Sequence, residues 1–505
     1  MDFFVTNTAD SGPGSLRQAI MDANGNPGPD RILIQTTGTV LLLSPLPDIT
    51  DSVEILGPGA GSFTVDGNAA FRPFRITAPA IVTITGIAVR NGMAPPSQSG
   101  GAIFTGPGAQ LTVMGSTFSG NRATFGGAAA TASGSMSFTD CLFVNNTASL
   151  FGGAIDNDFG AVALLRCTLS LNTARESGGI DADSGLVIID SCALLNNSVI
   201  SGPSGGVGAF TGSVLTIRGS TFQGNTTPFY GGGVFIQDAV ATITNSRFVG
   251  NSATQLGGAV ATIGASTMTI TGSVLLGNTA LIGAGVFTGL GDGGSTRLTN
   301  CTLAQNHAAM AGGAIFDRSG TTSTVSFATV ADNRVDAPAG AALETGGPGS
   351  ILVKNSIVAS TTDVAGAPRA NCAGTIVDLG GNLSTDGSCP SFTVVSRAAL
   401  SLGPLALNPP GNTETMALLP GSVAIDAAPT CTDSAGSSVT TDQRGVARPQ
   451  GPACDVGAFE FVPPPPPSPP PRSRFAVPQR PLFVSDGTCG CGRVRRPFRP
   501  VTWQQ

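Results

Sequence analysis

One asparagine recurs along this chain at nearly constant spacing. It stands at 121, 146, 172, 197, 225, 251, 278, 306 and 333, so successive copies lie 25 to 28 residues apart. A glycine pair keeps the same beat, as Gly100-Gly101-Ala102-Ile103, Gly152-Gly153-Ala154-Ile155, Gly257-Gly258-Ala259-Val260 and Gly312-Gly313-Ala314-Ile315. Looser copies follow at Gly126-Gly127, Gly178-Gly179, Gly205-Gly206 and Gly232-Gly233. A period in this range marks a solenoid, in which each repeat is one unit that buries its apolar face only against its neighbours.

The side chains inside a repeat decide which solenoid. Counting back from Asn251, the apolar or small positions are Phe248, Ser246, Ile243 and Ala241; from Asn225 they are Phe222, Ser220, Ile217 and Leu215. Each set is two runs of period two joined by a one-residue slip. Period two is a strand with one face buried, and the slip is a corner that keeps the same face inward. The glycine pair supplies another corner, where a missing Cβ permits positive φ or close backbone approach. Strand, corner, strand, asparagine turn, glycine corner, strand is one coil of a parallel β-helix. Helical repeats share the period, but the Gly, Thr, Ser and Val that dominate here suit helices poorly. The asparagines are expected to stack as an amide ladder and to sit in the left-handed turn. Phe118, Phe143, Leu169 and Leu194 are expected in one interior column.

The fold expected is all-β: a single-stranded right-handed parallel β-helix, the hand following the usual rule for parallel crossovers. Residues 1–30 form an N-terminal cap, because Ser15 and Gln18 make a capping box before Leu16, Ala19, Ile20 and Ala23 at helical spacing. Residues 31–361 are the coils. Residues 362–461 are an irregular C-terminal cap. Residues 462–505 are a proline-rich linker, VPPPPPSPPP, and a disordered basic tail that carries Cys489 and Cys491.

The opening VTNTADSGPGSLRQAIMDANGNPGPDRI, then ITDSVEILGPGAGSFTVDGN and ITGIAVRNG, resembles a large set of bacterial and algal right-handed parallel β-helix proteins. The glycine-pair and Phe-x-x-Asn repeats are similar to those of chlamydial polymorphic outer-membrane proteins. Residues 403–461, with LGPL, ALLPGSVAIDA, TDQRGVARP and CDVGAFEF, resemble the region called choice-of-anchor Q. The resemblance spans about 1–461. It implies architecture and a surface or secreted setting, and brings no catalytic residues with it.

Charged residues are 11% of the chain, against about 25% in ordinary globular domains. With a net charge of −6 there is no basic footprint for nucleic acid. No stretch approaches the roughly 18 apolar residues of a membrane span. The start, MDFFVTNTAD, shows no signal peptide, yet the expected location is extracellular or at the cell surface. The expected partner is a polysaccharide or a cell-surface or matrix component; the oligomeric state is not written in the sequence.

Cys141, Cys167, Cys192 and Cys301 each precede a repeat asparagine by five residues and are expected to be buried free thiols. Cys372, Cys389, Cys431 and Cys454 bracket short loops outside the ladder and are disulfide candidates, with the pairing open. Aligning Asp156-Asn-Asp158 with Asp181-Ala-Asp183 stacks four carboxylates on adjacent coils, with Arg166 and Arg175 between them in sequence. The plain reading is turn-capping aspartates. The alternatives are calcium, whose hard cation suits oxygen ligands, or acid and base roles split between close carboxylates. The cluster lacks the Asn-Thr-Asp, Asp-Asp, Gly-His-Gly and Arg-Ile-Lys set of polygalacturonases. Phe125, Phe151 and Tyr230 each precede a glycine pair and are expected to pack at buried corners, an aromatic row being the alternative. His307, the sole histidine, is expected at an exposed turn.

Together these features lead to a non-enzymatic extracellular or cell-surface protein that contacts glycan or matrix or mediates adhesion. The alternative is a polysaccharide lyase or hydrolase working at Asp156, Asp158, Asp181 and Asp183 with Arg166 or Arg175. No cofactor is expected; calcium at those four aspartates is the one candidate.

Overall fold

The computed structural model describes residues 1–464 except 78, 290, 292 and 319. The chain divides into a compact unit, Met1–Pro463, and a second, Pro464–Gln505, which beyond its first residue lies outside the described residues. The basic tail with Cys489 and Cys491 falls there.

The first unit is an all-β parallel solenoid. One coil runs through Gln110–Met114, Thr117–Ser119, Arg122–Phe125 and Ala129–Ala132, and each strand pairs in parallel with its counterpart in the next coil. We call the four resulting sheets I to IV in that order. Among the described residues they hold fifteen, fifteen, nine and twelve strands. At about 4.8 Å per step, sheet I is roughly 65–70 Å long. Sheet III, between the asparagine turn and the glycine pair, is the strand that periodicity missed. Its strands have as few as two residues, too few for an alternating pattern to register.

Stacking is in exact register inside. Phe118, Phe143, Leu169, Leu194, Phe222 and Phe248 pair one over the next and have no exposed surface. The Phe118 and Phe143 rings stack at 4.9 Å. The asparagines form the expected ladder. Asn146 Oδ1 accepts from the Asn121 backbone N–H (3.0 Å) and from Asn121 Nδ2 (2.9 Å). Asn146 Nδ2 donates to the Phe118 carbonyl (3.0 Å) and to Asn172 Oδ1 (2.9 Å). The left-handed conformation belongs instead to the residue before each asparagine, such as Asn145 at φ 55°, Leu171 at 57° and Gly224 at 64°. That residue makes the turn, which leaves the ladder amide free to point along the stack.

The two glycines of a pair do different work. Gly152 has φ +65°, whereas a Cβ on Gly153 would meet the Gly178 carbonyl oxygen at 2.1 Å. The first makes the corner and the second lets neighbouring coils approach.

Residues 1–30 contribute a rung as well as a lid. Asp2–Val5 pairs in parallel with Asp30–Ile34, and the helix α1, Leu16–Gly25, buries Leu16, Ala19, Ile20 and Ala23. Ser15 Oγ accepts from the Gln18 backbone N–H, but the Gln18 side chain donates to Asp22 rather than back to Ser15, so half of the capping box forms. At the other end the ladders run on through Ala370–Ala373, Ile376–Asp378, Leu383–Ser384 and Thr393–Val394.

The segment after residue 395 does more than close an end. It doubles back along the outer face of sheet II, where Ile357, Ala359, Thr329, Ala331, Thr302 and Ala304 are buried beneath it. Earlier coils place half-exposed residues such as Thr117 and Ser119 or Thr168 and Ser170 at the same positions. Apolar burial on a second face is therefore what docks this segment. Contacts reach back to Arg247, which pairs with Glu414, and Thr413 Oγ1 donates to the Gly272 carbonyl (3.0 Å). Within the segment Arg448 and Glu460 form a fully buried ion pair at 2.9 Å. Cys372 is bonded to Cys389 and Cys431 to Cys454, with Cα separations of 4.9 and 5.7 Å. Cys141, Cys167, Cys192 and Cys301 are free and buried.

Candidate functional site

Where sheet III turns through the glycine corner into sheet IV, the outer surface is concave. One wall is the outward column of sheet IV, in which Arg75, Phe104, Ala130, Asp156, Asp181, Gly208 and Phe235 follow one another rung by rung. The other wall is the residue at the end of each sheet III segment: Ser99, Phe125, Phe151 and Glu176 in succession, then Tyr230 and Leu256.

A pocket of about 410 Å³ lies in the middle of this groove. Asp156, Asp158, Asp181, Asp183 and Glu176 line it, with Phe125 and Phe151 toward one end and Phe210 toward the other. Asp156 opposes Asp181, and Asp158 opposes Asp183, in the ladder. The inner pair is buried and the outer pair is exposed. Asp181 is 5% exposed, and its Oδ1 has no hydrogen-bond partner; the hydroxyl of buried Ser177 is also unpartnered.

Burial, followed by the charges of Asp181, Asp158 and Asp183, pushes the Asp156 carboxyl well above the usual carboxylate range. Burial raises Asp181 to about 7, and the charges of Glu176, Asp183 and Asp158 add to it. Asp158 is also raised, by desolvation and then by Asp183. Like charges one strand spacing apart in a poorly hydrated pocket resist full ionisation.

The structure separates both arginines from the carboxylates. Arg166 sits at the corner between sheets I and II, half-exposed, and pairs with Asp140 at 2.7 Å. Arg175 is exposed and does not line the pocket. Nearness in sequence misled because one coil carries the chain around every face. Glu176 escaped the sequence reading although a signal existed. Aligning Ile180 with Ile155 puts Glu176 opposite Phe151 and Ser177, at φ 56°, in the slot of Gly152.

Two further expectations change. Phe125 and Phe151 are half-buried groove residues with ring centroids 5.6 Å apart, not corner packing. His307 lies on a strand, with its Nε2 2.8 Å from Asp336 Oδ2, not in an exposed turn. Among the described residues no three acidic, histidine or cysteine side chains converge as a metal-binding group. No helix among those residues is long and apolar enough to cross a membrane.

The family model "Right handed beta helix region" matches residues 184–358, and a Chlamydia polymorphic membrane protein repeat matches residues 140–158. Neither reaches 403–461. No curated protein matches. Among solved structures, the chain is similar to the catalytic unit of a thermostable GH87 alpha-1,3-glucanase from Streptomyces thermodiastaticus. That match has 15% identity, covers 76% of this chain and 68% of that one, and has a TM-score of 0.40. A PL6 alginate lyase in complex with a trisaccharide aligns at 13% identity over 91% and 96%, with a TM-score of 0.38. The mannuronan C-5 epimerase A-module of Azotobacter vinelandii aligns at 12% over 74% and 95%, with a TM-score of 0.32.

Proposed function

We propose that the groove between sheets III and IV holds a polysaccharide chain, and that this protein contacts glycans at a cell surface or in the extracellular space. One observation carries the reading: carboxylates that can accept hydroxyl protons are set between Phe125 and Phe151 on one side and Phe210 on the other, in one pocket. Aromatic faces pack against the C–H faces of sugars, and fixed polar groups between them set orientation. The test is affinity electrophoresis of the intact protein through a panel of polysaccharides. Phe151→Ala is expected to weaken the retained interaction by about 3- to 10-fold, the value of one aromatic contact, with thermal stability little changed. Binding by no member of the panel would refute the reading.

A second reading, hydrolysis, is favoured by the split between buried and exposed aspartates. A neutral carboxyl on Asp181 gives its proton to the glycosidic oxygen as the C–O bond breaks. The Asp183 or Asp158 carboxylate takes a proton from the water that attacks the anomeric carbon. Protons return through solvent, and the net change is addition of water. Such a pair is the usual arrangement for acid and base work. Release of new reducing ends is then expected, falling as pH rises above about 7, where Asp181 gives up its proton, and absent in Asp181→Asn. A bound glycan that stays intact at every pH leaves contact as the whole function.

A further inference from the structure

Arg75 shares its column with the acidic pair, three rungs before Asp156 and four before Asp181. By strand spacing it lies roughly 14 Å from Asp156 along the groove. Arg75 is tied to Asp48 at 2.7 Å. Its neighbour Arg72 is not tied to any carboxylate within ion-pair distance among the described residues, although it is only 9% exposed. Arg72 Nε donates to the Gly100 carbonyl (2.8 Å) and Nη2 to Gln98 Oε1 (2.9 Å), and the guanidinium lies 5.5 Å from the centre of the Phe104 ring.

All of these acceptors are neutral, and among the described residues no protein acceptor meets Nη1. Burial first, and then the charge of Arg75, lowers its pKa to about 10 against the pull of the Asp48 carboxylate, so Arg72 stays cationic at neutral pH. A guanidinium held largely out of water without a counter-ion is costly. The cost falls when a planar anion fills the open side of its fork. Arg72, Arg75 and Gln98 line two pockets of about 340 and 270 Å³, and Asp48, already held by Arg75, lines the larger of them. The smaller one shares Ser99 with the acidic pocket.

The geometry points to an anion subsite at Arg72 and Arg75, which takes a carboxylate or sulfate carried by the glycan. The ligand is then a heteroglycan with a charged substituent at one end of the groove and neutral sugars over Asp156–Asp183. A uniformly charged polyuronate does not fit, since the exposed Asp158 and Asp183 and the neighbouring Glu176 line the other pocket and like charges repel across it. This inference rests on the groove being a glycan site, while the anion subsite can be tested alone.

The test uses the full chain, its Arg72→Gln variant and the milder Arg75→Gln variant. Each is applied to an array that displays neutral, uronate-bearing and sulfated members of the same backbones, and each is heated with and without inorganic sulfate. The wild type is expected to favour anionic members about tenfold or more, the scale of a charged hydrogen bond. Both variants should lose that preference while keeping their binding of neutral members, and should lose the sulfate-induced rise in Tm. Uronate and sulfate arms distinguish the source of the anion. A sulfate effect that depends on Arg72, with no glycan bound, sustains the subsite and sinks the glycan reading. No preference for anions together with a sulfate response that ignores both arginines overturns the subsite.

Discussion

Replacing Asn197 with alanine is expected to remove about 2–6 kcal/mol of stability, a large share of what an ordinary domain has. Asn197 Oδ1 accepts from the backbone N–H and from the Nδ2 of Asn172, at 3.0 and 2.9 Å. Its Nδ2 donates to the Leu169 carbonyl at 2.9 Å and to Asn225 Oδ1 at 3.0 Å. Alanine orphans the Asn172 N–H and one Asn172 amide proton, both in a column with no exposed surface, and takes a second donor from the Leu169 carbonyl. Each buried group left without a partner costs about 1–3 kcal/mol. Urea unfolding followed by circular dichroism measures the loss, and amide exchange at Asn172 locates it. Thr173→Ala in the preceding coil, half-exposed, should stay within about 0.5 kcal/mol. An Asn197→Ala loss below 1 kcal/mol would mean the ladder is ornament.

The pH dependence of stability is expected to change most at Asp181. Its pKa rises from 3.8 to about 7 on folding, so between those values the folded protein holds a proton that the unfolded chain has released. Stability from this group is complete below pH 4 and is lost as pH rises through 7, by about 4 kcal/mol in all. Asp156 and Asp158, whose carboxyls are also raised, share the pocket and couple to this titration. Asp181→Asn carries no charge at any pH. It should therefore flatten the decline and melt higher than the wild type at pH 8, with little difference at pH 4. Parallel stability curves for the two proteins from pH 4 to 8 would show that Asp181 ionises freely in the fold.

Much of this molecule is legible before any coordinates. The beat of Asn121 to Asn333, the inward set Phe118, Phe143, Leu169 and Leu194, and the alignment of Asp156 with Asp181 all follow from a period and an alternation. These are local rules, since strand pleat and turn conformation depend on a few neighbouring residues, and repetition turns one correct coil into many.

Other features were not legible in that way. Sheet III is too short to alternate. The left-handed slot is held by Gly, Asn, Leu, Gln or Asp in different coils, so no one residue marks it. The segment after residue 395 lies against coils more than 140 residues earlier, which no repeat encodes.

The groove belongs to the second kind. Arg166 and Arg175 look close to the aspartates along the chain, whereas Arg75 and Glu176 are the ones that share their walls. Period and corner chemistry act over a few residues and so are written in the chain. Which charges meet across a concave surface depends on register summed over several coils and on the angle between two sheets, and those exist only once the coils have stacked.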